Sequence, residues 1–89
     1  MHSAILLREI NERVDEAAHR LNVDDAEFLC ECGRSDCGPA RVTMTLTDFA
    51  DCAASEDCWV VAPGHEPYGG EVVRSHERYV IVRRLVGAA

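Results

Sequence analysis

The chain has 89 residues, with sixteen acids against nine arginines, no lysine, five cysteines and a formal net charge of −7. This length suits one small domain, expected to span residues 1–89, whose modest core calls for a metal, disulfides or a partner. Hydrophobic residues reach 47%, too many for disorder, yet no apolar run approaches the ~20 residues of a membrane span. The negative charge excludes duplex nucleic acid and anionic lipid as partners, because both need clustered basic residues. Met1–Ala4 leads straight to Arg8 and Glu9 with no signal-peptide core, so a cytoplasmic location is expected. In that reducing compartment cysteines read as metal or redox chemistry before they read as disulfides.

Residues 4–23 carry the clearest helical pattern. Leu6, Ile10, Val14, Ala17 and Leu21 recur at spacings of three or four, with charged residues on the other faces. Glu9–Arg13 and Glu16–Arg20 are acid-first pairs four apart, Ser3 is the expected cap, and the helix should stop near Asn22. Phe28–Cys30 then reads as a short strand, and Gly33, Gly38 and Pro39 bracket a tight polar loop. Val42, Met44 and Leu46 alternate with Thr43, Thr45 and Thr47, a strand by period. Thr45 to Asp48 also resembles a capping box, so a second helix through Ala54 should begin within residues 45–47.

Cys58–Val61 is a further strand, ended by Pro63-Gly64. After the loop His65–Gly70, residues 71–75 and 79–85 read as a hairpin turning at His76–Arg78, and Gly87–Ala89 as a loose end. The fold class is therefore α+β: a long N-terminal amphipathic helix on a small antiparallel sheet of four or five strands, plus a short helix. The expected core is Leu6, Ile10, Val14, Leu21, Phe28, Val42, Met44, Phe49, Trp59, Val61, Val73, Val80 and Val82. Ile5 or Leu7, left outside the stripe, would be the surface for a homodimer or another partner. Charge is uneven: residues 1–70 hold fourteen acids and five arginines, residues 71–89 two acids and four arginines.

The most informative stretch is Cys30-Glu31-Cys32-Gly33-Arg34-Ser35-Asp36-Cys37-Gly38. Residues two apart at a strand end point the same way, so Cys30 and Cys32 can aim at one point. The intervening loop lets Cys37 fold back, and the glycines permit backbone N–H groups to turn toward the sulfurs. Zinc needs four tetrahedral ligands, and this knuckle supplies three. His65, on the turn after Pro63-Gly64, is the leading fourth ligand, with Cys58, Cys52, His76, Asp36 and a water as alternatives. Cys52 otherwise reads as a buried helix residue, and Cys58 is open between an exposed thiol and strand packing. His2 and His19 read as solvated.

Several of these stretches resemble a family of small, mostly actinobacterial proteins of unassigned function. Its pattern is an R-x-V-N-E-R helix, F-(L/V)-C-E-C-G-x-x-x-C, an L-T-x-x-E-Y-like segment, a V-x-P-G-H-E turn and an R-Y-x-V-V-like strand. The matching stretches here are Arg8–Arg13, Phe28–Cys37, Met44–Phe49, Val61–Glu66 and Arg78–Val82. The resemblance implies that Cys30, Cys32, Cys37 and His65 belong to one unit, and it assigns no activity. Cys52 and Cys58 fall outside the pattern.

Three thiolates and an imidazole would leave no open coordination position, so a structural zinc in a protein-binding or regulatory module is the leading expectation and catalysis is not expected. The acidic surface would suit another protein, a basic one. A second reading is a zinc–thiol redox switch, with Glu31, Arg34 and Asp36 tuning the thiols and Cys58, if exposed, resolving them. A third is a small zinc enzyme, with Glu66 as base and His65 as proton shuttle. Single-stranded nucleic acid would have only Arg74, Arg78, Arg83, Arg84 and an exposed Tyr79 to bind it.

Overall fold

A computed structural model of the chain describes residues 4–34, 37, 38, 40–66 and 70–84. Its elements are α1 (Ala4–Arg20), β1 (Asp25–Leu29), β2 (Arg41–Thr45), α2 (Leu46–Ala53), β3 (Cys58–Val61), β4 (Gly70–Ser75) and β5 (Val80–Arg84). The class is α+β, as the sequence predicts. The sheet is different: instead of one sheet of four or five strands there are two, β1–β2 and β3–β5–β4, both antiparallel. The proposed cap Ser3 and the tail beyond Arg84 lie outside the described residues.

α1 ends in a left-handed turn. Leu21 and Val23 donate back to Ala17 and Ala18, and Asn22 takes the left-handed conformation at φ 57°, a common device for stopping a helix. β1 pairs with β2 from Asp25↔Thr45 to Leu29↔Arg41. Thr45 is both the last residue of β2 and the cap of α2. Its hydroxyl accepts from the Asp48 amide at 3.1 Å, which resolves the overlap of strand and helix signals over residues 45–47.

The main core lies where the two sheets and α2 meet. Phe28 stacks on Phe49 with centroids 4.4 Å apart, and Val42, Met44, Cys52, Val60, Val61, Val80 and Val82 surround them, all buried. Val14 and Trp59 are only half-buried. Four residues expected in the core are not there: Leu6, Ile10, Leu21 and Val73 are exposed. Leu7, expected outside, is 2% exposed. The helix is thus rotated by about one position from its apolar stripe, burying Leu7, Asn11 and Ala18 instead. What fixes that rotation is polar, as the next subsection describes. Val73 is displaced by a bulge in β4, where Val72 pairs with Val82 and Arg74 with Ile81.

Tyr79 opens β5 from the hairpin turn and is 1% exposed, not the exposed aromatic expected. Its hydroxyl donates to Asp48 Oδ2 at 2.6 Å, tying the hairpin to the first turn of α2. His76 stacks on the same ring at 4.5 Å. The Tyr79 hydrogen bond holds Asp48 below the usual aspartate range, while burial and Asp48 push the Tyr79 hydroxyl up to about 12. A carboxylate with a lowered pKa contributes stability that is complete above its unfolded value and lost as pH falls through its folded one. Tyr79→Phe should therefore cost about 1.5 kcal/mol at neutral pH, as for a bond to a charged acceptor. The gap between the two urea midpoints should narrow as pH falls through the lowered Asp48 value; a pH-independent gap would mean that the phenol stabilises by packing alone.

Candidate metal centre

Cys30, Glu31 and Cys32 leave the end of β1 in extended chain, and alternate side chains take opposite directions. The Cys30 amide still donates to Ala40 in the β1–β2 pairing, at 2.7 Å, while the Glu31 amide donates to Val60 on β3, at 2.8 Å. This short segment crosses from one sheet to the edge of the other. Cys30 and Cys32 turn to one side, and Glu31 to the other.

On the first side the sulfurs meet His65. Its Nδ1 lies 3.7 Å from Cys30 Sγ, 3.9 Å from Cys32 Sγ and 3.3 Å from Cys37 Sγ. These four ligand atoms all lie within 4.8 Å of one another. A tetrahedral zinc bound at ordinary Zn–S and Zn–N lengths would set such S···N edges at ~3.5 Å and S···S edges at ~3.8 Å. The donor set and spacing therefore fit one tetrahedral ion, and His65 would bind through Nδ1.

Local chain geometry explains how His65 arrives. Pro63 and Gly64 occupy the middle of a turn closed by the His65 amide donating to Ala62 at 3.0 Å, and Gly64 has φ 88°. Proline followed by a glycine at positive φ is what such a turn favours. Its first residue serves the site directly: the Ala62 amide donates to Cys30 Sγ at 3.1 Å. The Ala40 amide donates to Cys37 Sγ at 3.2 Å, and Gly33 at φ 75° turns the chain after Cys32.

These bonds compete with burial. Burial pushes the Cys30 thiol up to about 12 against the Ala62 and Cys32 amides. At Cys32 burial also raises the value, but the Arg34 amide, His65 and the neighbouring cysteines outweigh it and the thiol is lowered. A divalent cation would favour the thiolate at every one of these sulfurs.

Three of the alternative fourth ligands, Cys52, Cys58 and His76, are elsewhere. Cys52 and Cys58 are buried, at 3% and 5% exposure, with Cys52 pushed up to about 12 by burial. His76 is on the far hairpin against Tyr79, and Asp36 lies outside the described residues. Among the described residues Cys30, Cys32, Cys37 and His65 are the group that could hold a metal. Two redox expectations change: buried Cys58 is no surface resolving thiol, and Glu31 turns away from the sulfurs.

The second side of the same segment holds what the sequence did not single out. The Glu31 carboxylate is fully buried and accepts from Arg8 Nε at 2.8 Å and Nη2 at 3.0 Å. It also accepts from Asn11 Nδ2 at 2.9 Å and from the Val60 amide at 2.8 Å. Asn11 meets the Leu29 backbone twice, its Oδ1 accepting at 2.8 Å and its Nδ2 donating at 2.9 Å, as one more strand residue would. Arg8 also donates to the Cys58 carbonyl at 2.6 Å and lies over the Trp59 ring at 4.9 Å. Burial opposes its charge, yet the Glu31 bond and charge prevail and raise the guanidinium above its ordinary value. Only a planar fork can make these contacts together.

Comparison with protein-family profiles, curated proteins and solved structures returns no match. The site is therefore read on its own chemistry.

Truncating one partner of a buried ion pair leaves the other charge without compensation. Arg8→Ala should lower stability by about 3–5 kcal/mol, measured by urea denaturation of metal-saturated protein. Arg8→Lys should recover only part of that loss, because an ammonium cannot make the bidentate bond. Equal stability of Arg8→Lys and the parent would show that charge alone, without the fork, holds Glu31.

Proposed function

We propose that this chain is a small α+β module stapled by a structural zinc ion on Cys30, Cys32, Cys37 and His65, which acts by binding other proteins. The observation that carries this reading is the convergence of four ligand atoms from two separate segments within 4.8 Å. Three sulfurs and one nitrogen at tetrahedral spacing favour zinc; oxygen-seeking cations want other donors, and iron–sulfur clusters usually take four cysteines. With His65 filling the fourth position the sphere is closed, which suits a structural ion better than a catalytic one. Two clefts, of about 470 and 310 Å³, are lined by residues outside the cluster, such as His19 and Thr47 in one and Asp48 and Arg78 in the other. That arrangement also speaks for binding over catalysis.

Two further features support the protein-binding role. The first 70 residues carry most of the acidic charge, which suits a basic protein surface. Tyr79 is buried, leaving the basic hairpin without the stacking ring that single-stranded nucleic acid would need. The described cysteines form no disulfide, which supports a reducing compartment such as the cytoplasm. No helix among the described residues is long and apolar enough to cross a membrane.

Zinc in such sites contributes an apparent ~10–16 kcal/mol near pH 7, so removing it should unfold a chain this small. Elemental analysis of protein purified without an affinity tag should find one zinc per chain, and Cys30→Ser or His65→Ala should lose both metal and stability. Alkylation after chelation separates a structural role from a switch. All five cysteines should become reactive together, because the core holding Cys52 and Cys58 opens with the knuckle. Labelling of Cys30, Cys32 and Cys37 alone, with the core thiols still protected, would refute the structural role.

A further inference from the structure

The rotation of α1 that buries Leu7, Asn11 and Ala18 leaves a second apolar stripe facing outward. Leu6 is 51% exposed, Ile10 39% and Leu21 74%, and Ala17 between them is exposed as well. At 100° per residue these positions fall within ~60° of one another and run ~22 Å along the helix axis. Continuous apolar stripes of this kind mark contact surfaces. The free edge of β4 competes as a docking site. It carries Glu71 and Arg74 beside a bulge, the features by which edge strands avoid pairing.

What identifies the occupant of the helix stripe is the charge along its open flank. Glu9, Arg13, Glu16 and Arg20 line one side of the stripe in the order acid, base, acid, base. The other side is occupied by the residues that face β1. In an antiparallel helix pair, like flanks meet, and an alternating acid–base flank is complementary to itself reversed. Registering Leu6 against Leu21 and Ile10 against Ala17 sets Glu9 opposite Arg20 and Arg13 opposite Glu16. The same registry that matches the apolar residues therefore matches the charges.

We propose that α1 is the interface of a homodimer, in which two copies pack their Leu6–Ile10–Ala17–Leu21 stripes antiparallel. Each Glu9 meets Arg20 of the partner subunit and each Arg13 meets Glu16 of the partner subunit. This goes beyond the zinc-stapled module and does not depend on which metal it holds, because metal content is read separately from mass.

Sedimentation equilibrium of the full metal-loaded chain should give a dimer. Leu6→Glu combined with Ile10→Glu should convert it to a monomer with unchanged circular dichroism and metal content, since neither side chain is in the core. Two charge rearrangements of identical composition test the registry. Glu9→Arg with Arg20→Glu keeps opposite charges across the dyad and should remain dimeric. Glu9→Arg with Arg13→Glu sets like charges against each other and should dissociate at the same concentration. A parent chain that stays monomeric to its solubility limit overturns the proposal. So does a dimer indifferent to the Leu6 and Ile10 substitutions, or equal behaviour of the two charge rearrangements.

Discussion

The structure depends on one buried carboxylate. Glu31 sits between two cysteines in an extended segment, so its side chain leaves the backbone opposite to theirs. It accepts from α1 through Arg8 and Asn11 and from β3 through the Val60 amide. A single tripeptide thus binds the helix on one side and presents two sulfurs of the candidate metal cluster on the other. Any movement of the helix would be felt at the sulfurs through one short stretch of chain. Any shift of the knuckle would pull a buried charge from its partners.

The legibility of the fold follows from which forces are local. Strand period over residues 41–45, the Thr45 cap, the Pro63-Gly64 turn and the hairpin near His76 are all set by neighbours in sequence. They stand close to where the sequence placed them. The convergence of Cys30, Cys32, Cys37 and His65 could also be read, because the spacing of the three cysteines limits what the loop can do and His65 follows a turn of fixed shape. What could not be read was tertiary. Division of the strands into two sheets depends on where the Glu31 segment crosses, and no local signal marks that crossing. Arg8 and Asn11 lie in the hexapeptide compared with a family pattern, yet as polar residues on a charged helix they look like solvated ones.

The missed helix rotation has the same cause. Hydrophobic periodicity weighs apolar side chains and counts polar ones as outward-facing. Here the inward face is Leu7, Arg8, Asn11, Val14 and Ala18, two of them polar, and the outward face includes Leu6, Ile10 and Leu21. By apolar content alone the outward face is the better candidate for burial. The sequence carried one further clue, an acid between two cysteines of a knuckle, but without coordinates nothing distinguishes it from a solvated loop carboxylate.

The choice between these two faces can be argued energetically. Turning α1 by one residue, about 100°, would bring Leu6, Ile10 and Leu21 inward and gain apolar burial worth ~1.5–3 kcal/mol for each side chain fully buried. It would also carry Arg8 and Asn11 away from Glu31. The carboxylate would then lie inside the protein without its bonds from α1, at a cost of several kcal/mol, and the Leu29 backbone would lose its two bonds to Asn11. Leu7 would be exposed in exchange. The net apolar gain and the polar loss are of the same order, and the chain adopts the rotation that keeps the polar cluster. A buried ion pair is weak evidence for stability in itself; its effect here is to select one rotation of a helix that has two apolar faces. The unselected face is left at the surface, so the device that orders the interior also leaves an apolar stripe exposed.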